Sequence, residues 1–168
     1  MTFKKEYLKM VIIAYFIASF ISCTVQDINT DYNTSVDLSL VNENDWIMTE
    51  GVLDRINDYR LENNLNMLYI DSLFATAYAV KHSKYMIETQ SINHDNFFIR
   101  SNGLKQKGAI SVGENVAYGY STAESVVNAW LNSEGHREMI IGDFTNIGFG
   151  ILKSETNNKF YYTTIFFK

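Results

Sequence analysis

Phe160-Tyr161-Tyr162-Thr163-Thr164-Ile165-Phe166-Phe167, next to the end of the 168-residue chain, is apolar or aromatic at odd and even positions alike. A strand points alternate side chains to opposite faces, so a run without a charged face has to be covered on both sides. Helices are therefore expected above and below it. Upstream, Ile147, Phe149 and Ile151 alternate with Gly148 and Gly150. One face of a strand over 147–153 is then nearly bare, and another element can pack close to its backbone. Glu155-Thr156-Asn157-Asn158 supplies turn residues for a hairpin between this strand and one over 159–167. Residues 115–120 read as a further strand.

Three helical patterns surround these strands. Met48, Val52, Ile56 and Tyr59 recur at helical spacing, which predicts an amphipathic helix over 46–64. Asp71 is placed to cap a second helix running to about Thr89, with Leu73, Ala77, Val80 and Ile87 on one face and Phe74, Tyr78 and Tyr85 beside it. Ser121-Thr122-Ala123-Glu124 has the form of a capping box, followed by the stripe Ala123, Val126, Val127, Trp130 and Leu131. Strands and helices in this arrangement indicate an α+β fold.

The N-terminus points to export. Lys4, Lys5 and Lys9 precede an apolar run from Met10 to Ile21, and Ser22-Cys23 closes it. That is the layout of a signal peptide over 1–22, and the run is too short for a membrane span. Cys23, the only cysteine, sits where a bacterial lipoprotein is processed and lipidated, so it is a candidate lipid anchor that would tie the protein to a membrane. A simple secretory signal with an incidental cysteine is the plainer alternative. Residues 23–45, rich in Asp, Asn, Thr and Ser, read as a flexible tether ahead of one domain over 46–168. Removal of residues 1–22 takes away three of the 14 Lys+Arg and one of the 19 Asp+Glu, which leaves a formal charge of −7. An acidic domain lacks the basic patch that displaces counterions from phosphates, so no nucleic acid partner is expected. A single cysteine allows no intramolecular disulfide, and the aromatic-rich core has to hold the fold.

The residues that carry chemistry are two histidines with an acid between them. Glu114, in Gly113-Glu114-Asn115-Val116-Ala117, lies between His94 and His136 in sequence. Two imidazoles and a carboxylate suit either a metal site or an acid–base site, and spacing does not choose between them. Read alone, His94 is a surface histidine in a polar loop, and His136 sits beyond the end of the helix over 123–131. Trp130 reads as core, His82 as a structural residue of the second helix, and Arg137 as an ion-pair partner of Glu114, Glu134 or Asp143. No phosphate loop, nucleophile elbow or cysteine nucleophile is present.

Taken in order, Asn57 to Arg60, Leu68, Ala79 to Met86 around His82-Ser83, His94, Gly113-Glu114-Asn115-Val116-Ala117, Trp130 with Ser133-Glu134-Gly135-His136-Arg137, and Ile147-Gly148-Phe149-Gly150 resemble the CAP superfamily. This superfamily comprises cysteine-rich secretory proteins, antigen 5 and pathogenesis-related 1 proteins, whose domain is also called SCP; the match is best to its bacterial, disulfide-free branch. The resemblance spans residues 46 to 168. It implies a three-layer α-β-α sandwich with a small, mainly antiparallel sheet between helices. It also implies a cleft in which His94 and His136 converge, with Glu114 hydrogen-bonding a cleft histidine in an orienting or base role. Asn115 ties the loop together or meets a ligand, and Ser133 stands where the fullest version of this cleft carries a second acid. Three functions follow as expectations. The first is an exported binding domain holding a divalent metal, zinc above others, through His94 and His136, with a small molecule, lipid or peptide as ligand. The second is a metal-dependent hydrolase or protease using Glu114 as catalytic base. The third is a cell-surface interaction or adhesion module with a vestigial cleft.

Overall fold

The computed structural model describes residues 34–168. The expected signal peptide, the expected anchor Cys23 and the first part of the tether lie outside the described residues. The elements in chain order are a 3-10 turn (Leu38–Glu43), α1 (Trp46–Glu62), β1 (Tyr69–Ile70), α2 (Phe74–Thr89), α3 (Phe97–Lys105), β2 (Val112–Tyr118), α4 (Ala123–Leu131), α5 (Glu134–Ile141), β3 (Asn146–Lys153) and β4 (Phe160–Phe167). The four strands form one sheet in the order β1-β3-β4-β2. β4 runs antiparallel to both β3 and β2, and only the two-residue β1 is parallel to its neighbour β3.

Strand alternation sorts the core into two layers. Ile147, Phe149, Ile151, Tyr162, Phe166 and Ala117 face α1, α4 and α5, where Val52, Ile56, Val126, Val127, Trp130 and Ile140 meet them. On the opposite face Ile165 packs with Ala75, Tyr78, Ala79 and Leu104 of α2 and α3, while Val116 and Tyr161 pack with Met86. Gly148 and Gly150 lie on this second face. A Cβ at Gly148 would overlap Ala75, and one at Gly150 would overlap the backbone of Ala79. The bare strand face is thus filled by the backbone of α2, and Ser83 of the same helix donates to the Gly150 carbonyl at 2.7 Å. The buried run of β4 is covered on both sides, as its sequence requires.

Several boundaries differ from expectation for local reasons. Asp71 accepts hydrogen bonds from the Leu73 and Ala75 amides and so caps α2, but Leu73 is 44% exposed instead of joining the core stripe. The capping box of α4 is shifted by one residue. Thr122 is the N-cap and Ser125 answers it, leaving Glu124 exposed. β2 begins at Val112, three residues early, because Val112 to Tyr118 pair with Phe167 to Tyr161 of β4. Part of the stretch expected as tether is built into the domain: Asn44 Oδ1 accepts from the Ile151 amide at 2.8 Å, the Asp45 amide donates to the Ile151 carbonyl at 2.9 Å, and Asp45 caps α1.

Candidate functional site

Consecutive residues of a strand face opposite ways, so Glu114 and Asn115 of β2 serve different layers. Glu114 lies on the α2–α3 side. Its side chain is 1% exposed, and the carboxylate receives both Nε and Nη2 of Arg100 at 2.7 Å, a two-pronged ion pair with a side chain that is itself buried. His94 Nδ1 joins the same carboxylate at 2.8 Å. Burial alone would raise the Glu114 pKa. The hydrogen bonds from His94 and Arg100 and the charge of Arg100 outweigh it and hold the carboxyl below its ordinary value. Glu114 is therefore an ionised, fully engaged carboxylate.

The loop carrying His94 is held from three directions. His82 Nε2 bonds the Asn93 carbonyl at 2.8 Å, the Tyr85 hydroxyl donates to Asp95 Oδ2 at 2.8 Å, and Arg100 Nη1 donates to the Asp95 carbonyl at 2.8 Å. Burial, and then the charge of Arg100, push the His82 pKa down. The His94 ring itself remains half exposed. The expected structural duty of His82 thus takes a definite form: it fixes the backbone next to His94.

His136 belongs to the other layer, where the structure adds a helix to its expected place. It does lie beyond the end of α4, but in the first turn of a further helix, α5, whose N-cap is Ser133. The Ser133 hydroxyl bonds His136 Nδ1 at 2.8 Å instead of capping the helix. Asn115 Nδ2 donates to the His136 carbonyl at 2.9 Å, tying α5 to β2. Its Oδ1, fully buried, finds no partner among the described residues. Burial lowers the His136 pKa, and the nearby charge of His94 lowers it further. Through Glu114 and Asn115 the two histidines are attached to opposite faces of β2, the edge strand of the sheet. Each ring has its Nδ1 engaged, by Glu114 or by Ser133.

Other expectations resolve differently. Arg137 makes no ion pair among the described residues; its Nη1 donates to the Leu131 carbonyl at 2.8 Å. Trp130 is core, with Nε1 donating to the Val116 carbonyl at 3.1 Å. Among the described residues no three His, Cys, Asp or Glu side chains are grouped as a metal cage would need. Sequence reasoning misses Arg100 because it misses α3. The signal available is a lone cation in Phe97-Phe98-Ile99-Arg100, where an arginine following three apolar residues demands a partner if it is buried.

A model of the cysteine-rich secretory protein family, CAP, matches residues 53–166. The chain belongs to the CAP family. The Bacillus subtilis (strain 168) protein YkwD is 36% identical over 110 residues, which cover 61% of this chain and 42% of YkwD. The chain thus matches about two fifths of the length of that relative. An outer surface protein from Borrelia burgdorferi superposes with a TM-score of 0.65 at 29% identity, over 73% of this chain and 92% of that one. An extracellular protein containing an SCP domain from Bacillus anthracis str. Ames does so with a TM-score of 0.63 at 29% identity, over 74% of this chain and 41% of that one. The two helical layers around one small sheet are the α-β-α sandwich of the CAP domain, and the resemblance carried by the sequence motifs is borne out.

Proposed function

We propose that this CAP-domain protein is exported, anchored to a membrane through Cys23, and serves as a binding protein. Its cleft, formed by His94, Glu114, Asn115, Ser133 and His136, takes a divalent metal, zinc above others, together with a small molecule, lipid or peptide. His94 and His136 would hold the ion through the ring nitrogens that Glu114 and Ser133 leave free. The donor chemistry fits: an imidazole whose Nδ1 is fixed by a second group presents its other nitrogen in one orientation, as metal-bound histidines do. Burial keeps His136 neutral and so able to ligate. Bound there, zinc supplies a Lewis acid toward a ligand oxygen or nitrogen.

The observation that favours binding over hydrolysis is the pairing of Glu114 with Arg100. A carboxylate with depressed pKa, held by a guanidinium and an imidazole, is a weak proton acceptor and a poor general base. Export is supported by the N-terminal residue pattern and by the similarity to an outer surface protein and an extracellular protein. Zinc-loaded protein incubated with peptide and ester libraries should show no turnover above buffer. Turnover that disappears in Glu114→Gln would overturn the binding reading in favour of the hydrolase. In cells fed labelled palmitate, label should enter the wild type and be absent from Cys23→Ser; equal labelling would remove the anchor.

A further inference from the structure

A cavity of about 260 Å³ lies where the C-terminal end of α2, the loop after it and the β3–β4 turn meet the end of β2. It is lined by Gln90, Ile92, Tyr118, Asn157 and Tyr161, and by none of His94, Glu114 or His136. Tyr118 stands four residues, or about 14 Å, beyond Glu114 along β2, so this is a different place from the cleft. Its lining carries no charged side chain, although the chain as a whole has a formal net charge of −5. Two large hydrophobic side chains are open to solvent there, Tyr118 at 41% and Ile92 at 42% exposure.

Hydrogen bonding fixes how the polar groups point. Asn157 Oδ1 accepts from the Lys159 amide at 3.0 Å, and a backbone N–H can only donate, so the side-chain amide has one orientation. Its Nδ2 then donates toward two phenolic oxygens, that of Tyr161 at 3.2 Å and that of Tyr118 at 3.5 Å. A hydroxyl has one proton and two lone pairs. Both tyrosines accept from Asn157, and neither passes its own proton to an acceptor among the described residues. Two O–H donors are thus left beside the Tyr118 ring, and the exposed Gln90 adds an amide that both donates and accepts.

These groups define the chemistry of an occupant. Uncharged walls offer no counter-ion, so an ion moved into them would lose hydration without return. The acidic chain also repels anionic polymers at long range. The face of an aromatic ring is negative and attracts weakly positive C–H groups, while hydroxyls and amides match a ligand that is itself both donor and acceptor. A pyranose ring combines a face of C–H bonds with a rim of hydroxyls. A cavity of about 150 Å³ accepts benzene, so this one has room for one six-membered ring with its substituents.

We propose that this cavity binds a neutral pyranose sugar, whose C–H face lies on Tyr118 and Ile92 and whose oxygens pair with the tyrosine hydroxyls and the Gln90 amide. The site stands independently of the metal cleft.

The test is a titration of ¹⁵N-labelled protein with the methyl glycosides of glucose, galactose, mannose and N-acetylglucosamine, followed by amide chemical shifts. At least one should shift Gln90, Tyr118 and Asn157 saturably, and the uronic acid and the amino sugar of the same configuration should bind about fivefold more weakly or worse. Tyr118→Leu, at an exposed position, should weaken binding about tenfold, and Tyr118→Phe, which keeps the ring and removes one hydroxyl, about fivefold. His94→Ala with His136→Ala should leave sugar binding unchanged, which separates this site from the cleft. No saturable shift with any of the four sugars, equal binding of the charged sugars, wild-type affinity in either Tyr118 variant, or loss of binding in the double histidine variant would each overturn the proposal.

Discussion

At Glu114 burial works against ionisation, and hydrogen bonds from His94 and Arg100 with the charge of Arg100 work for it; the second group wins. A carboxyl whose folded pKa lies below its unfolded value of about 4.3 adds stability above that pH, and the contribution is lost as the pH falls through the folded value. Urea unfolding of wild type and Glu114→Gln should therefore show a gap that is constant from pH 7 to about 5 and closes on further acidification. A gap that widens toward acid would contradict the depressed pKa. Removing the other partner is harsher, since Arg100→Ala leaves a buried carboxylate without its guanidinium. The expected loss is about 3 to 5 kcal/mol by urea unfolding, with part recovered in Arg100→Ala plus Glu114→Gln. No recovery would mean that Arg100 acts through packing and not through this charge. His94, Glu114 and His136 are legible as chemistry from residue type and motif order. Arg100 is not, because a single cation in an unassigned segment does not announce its partner 14 residues away.

Among the elements, those with one dominant period are readable. The alternation of Ile147, Phe149 and Ile151 with two glycines indicates β3 and its close partner, and α1 follows its stripe from Met48 to Tyr59. Segments without a clean stripe escape. In α3, Phe98 is 45% exposed while Arg100, Ser101 and Gly103 are buried, so polarity and burial disagree. α5 starts at Glu134-Gly135-His136-Arg137, which reads as a polar loop until the helix is seen to be held by Asn115 at its first turn. β1 is two residues long, and its side chains are largely exposed. The contact of α2 with β3 yields a sharp expectation. Gly150→Ala forces a Cβ into the Ala79 backbone and should cost about 3 kcal/mol or prevent folding. Gly135→Ala, with nothing within 4 Å of the added carbon, should stay within about 0.5 kcal/mol of wild type or gain stability. Thermal or urea melts compare the two directly, and a harmless Gly150→Ala would mean that α2 can lift from the sheet.

For the molecule as a whole, the sandwich brings together parts that are distant in sequence. The α2–α3 layer delivers His94 on a braced loop, and the α1–α4–α5 layer delivers His136 on a helix tied to β2. The covered strand β4 implies both layers from the sequence, and the family motifs name the two histidines. Their attachment to opposite faces of the edge strand depends on strand order, which periodicity does not reveal. The proposed shared ion requires both rings to converge across that strand. The most direct test is calorimetric titration of the purified protein with zinc, beside His94→Ala plus His136→Ala. The account predicts one zinc per chain in the wild type and none in the double variant. Unchanged stoichiometry in the double variant, or no uptake by the wild type, would contradict it.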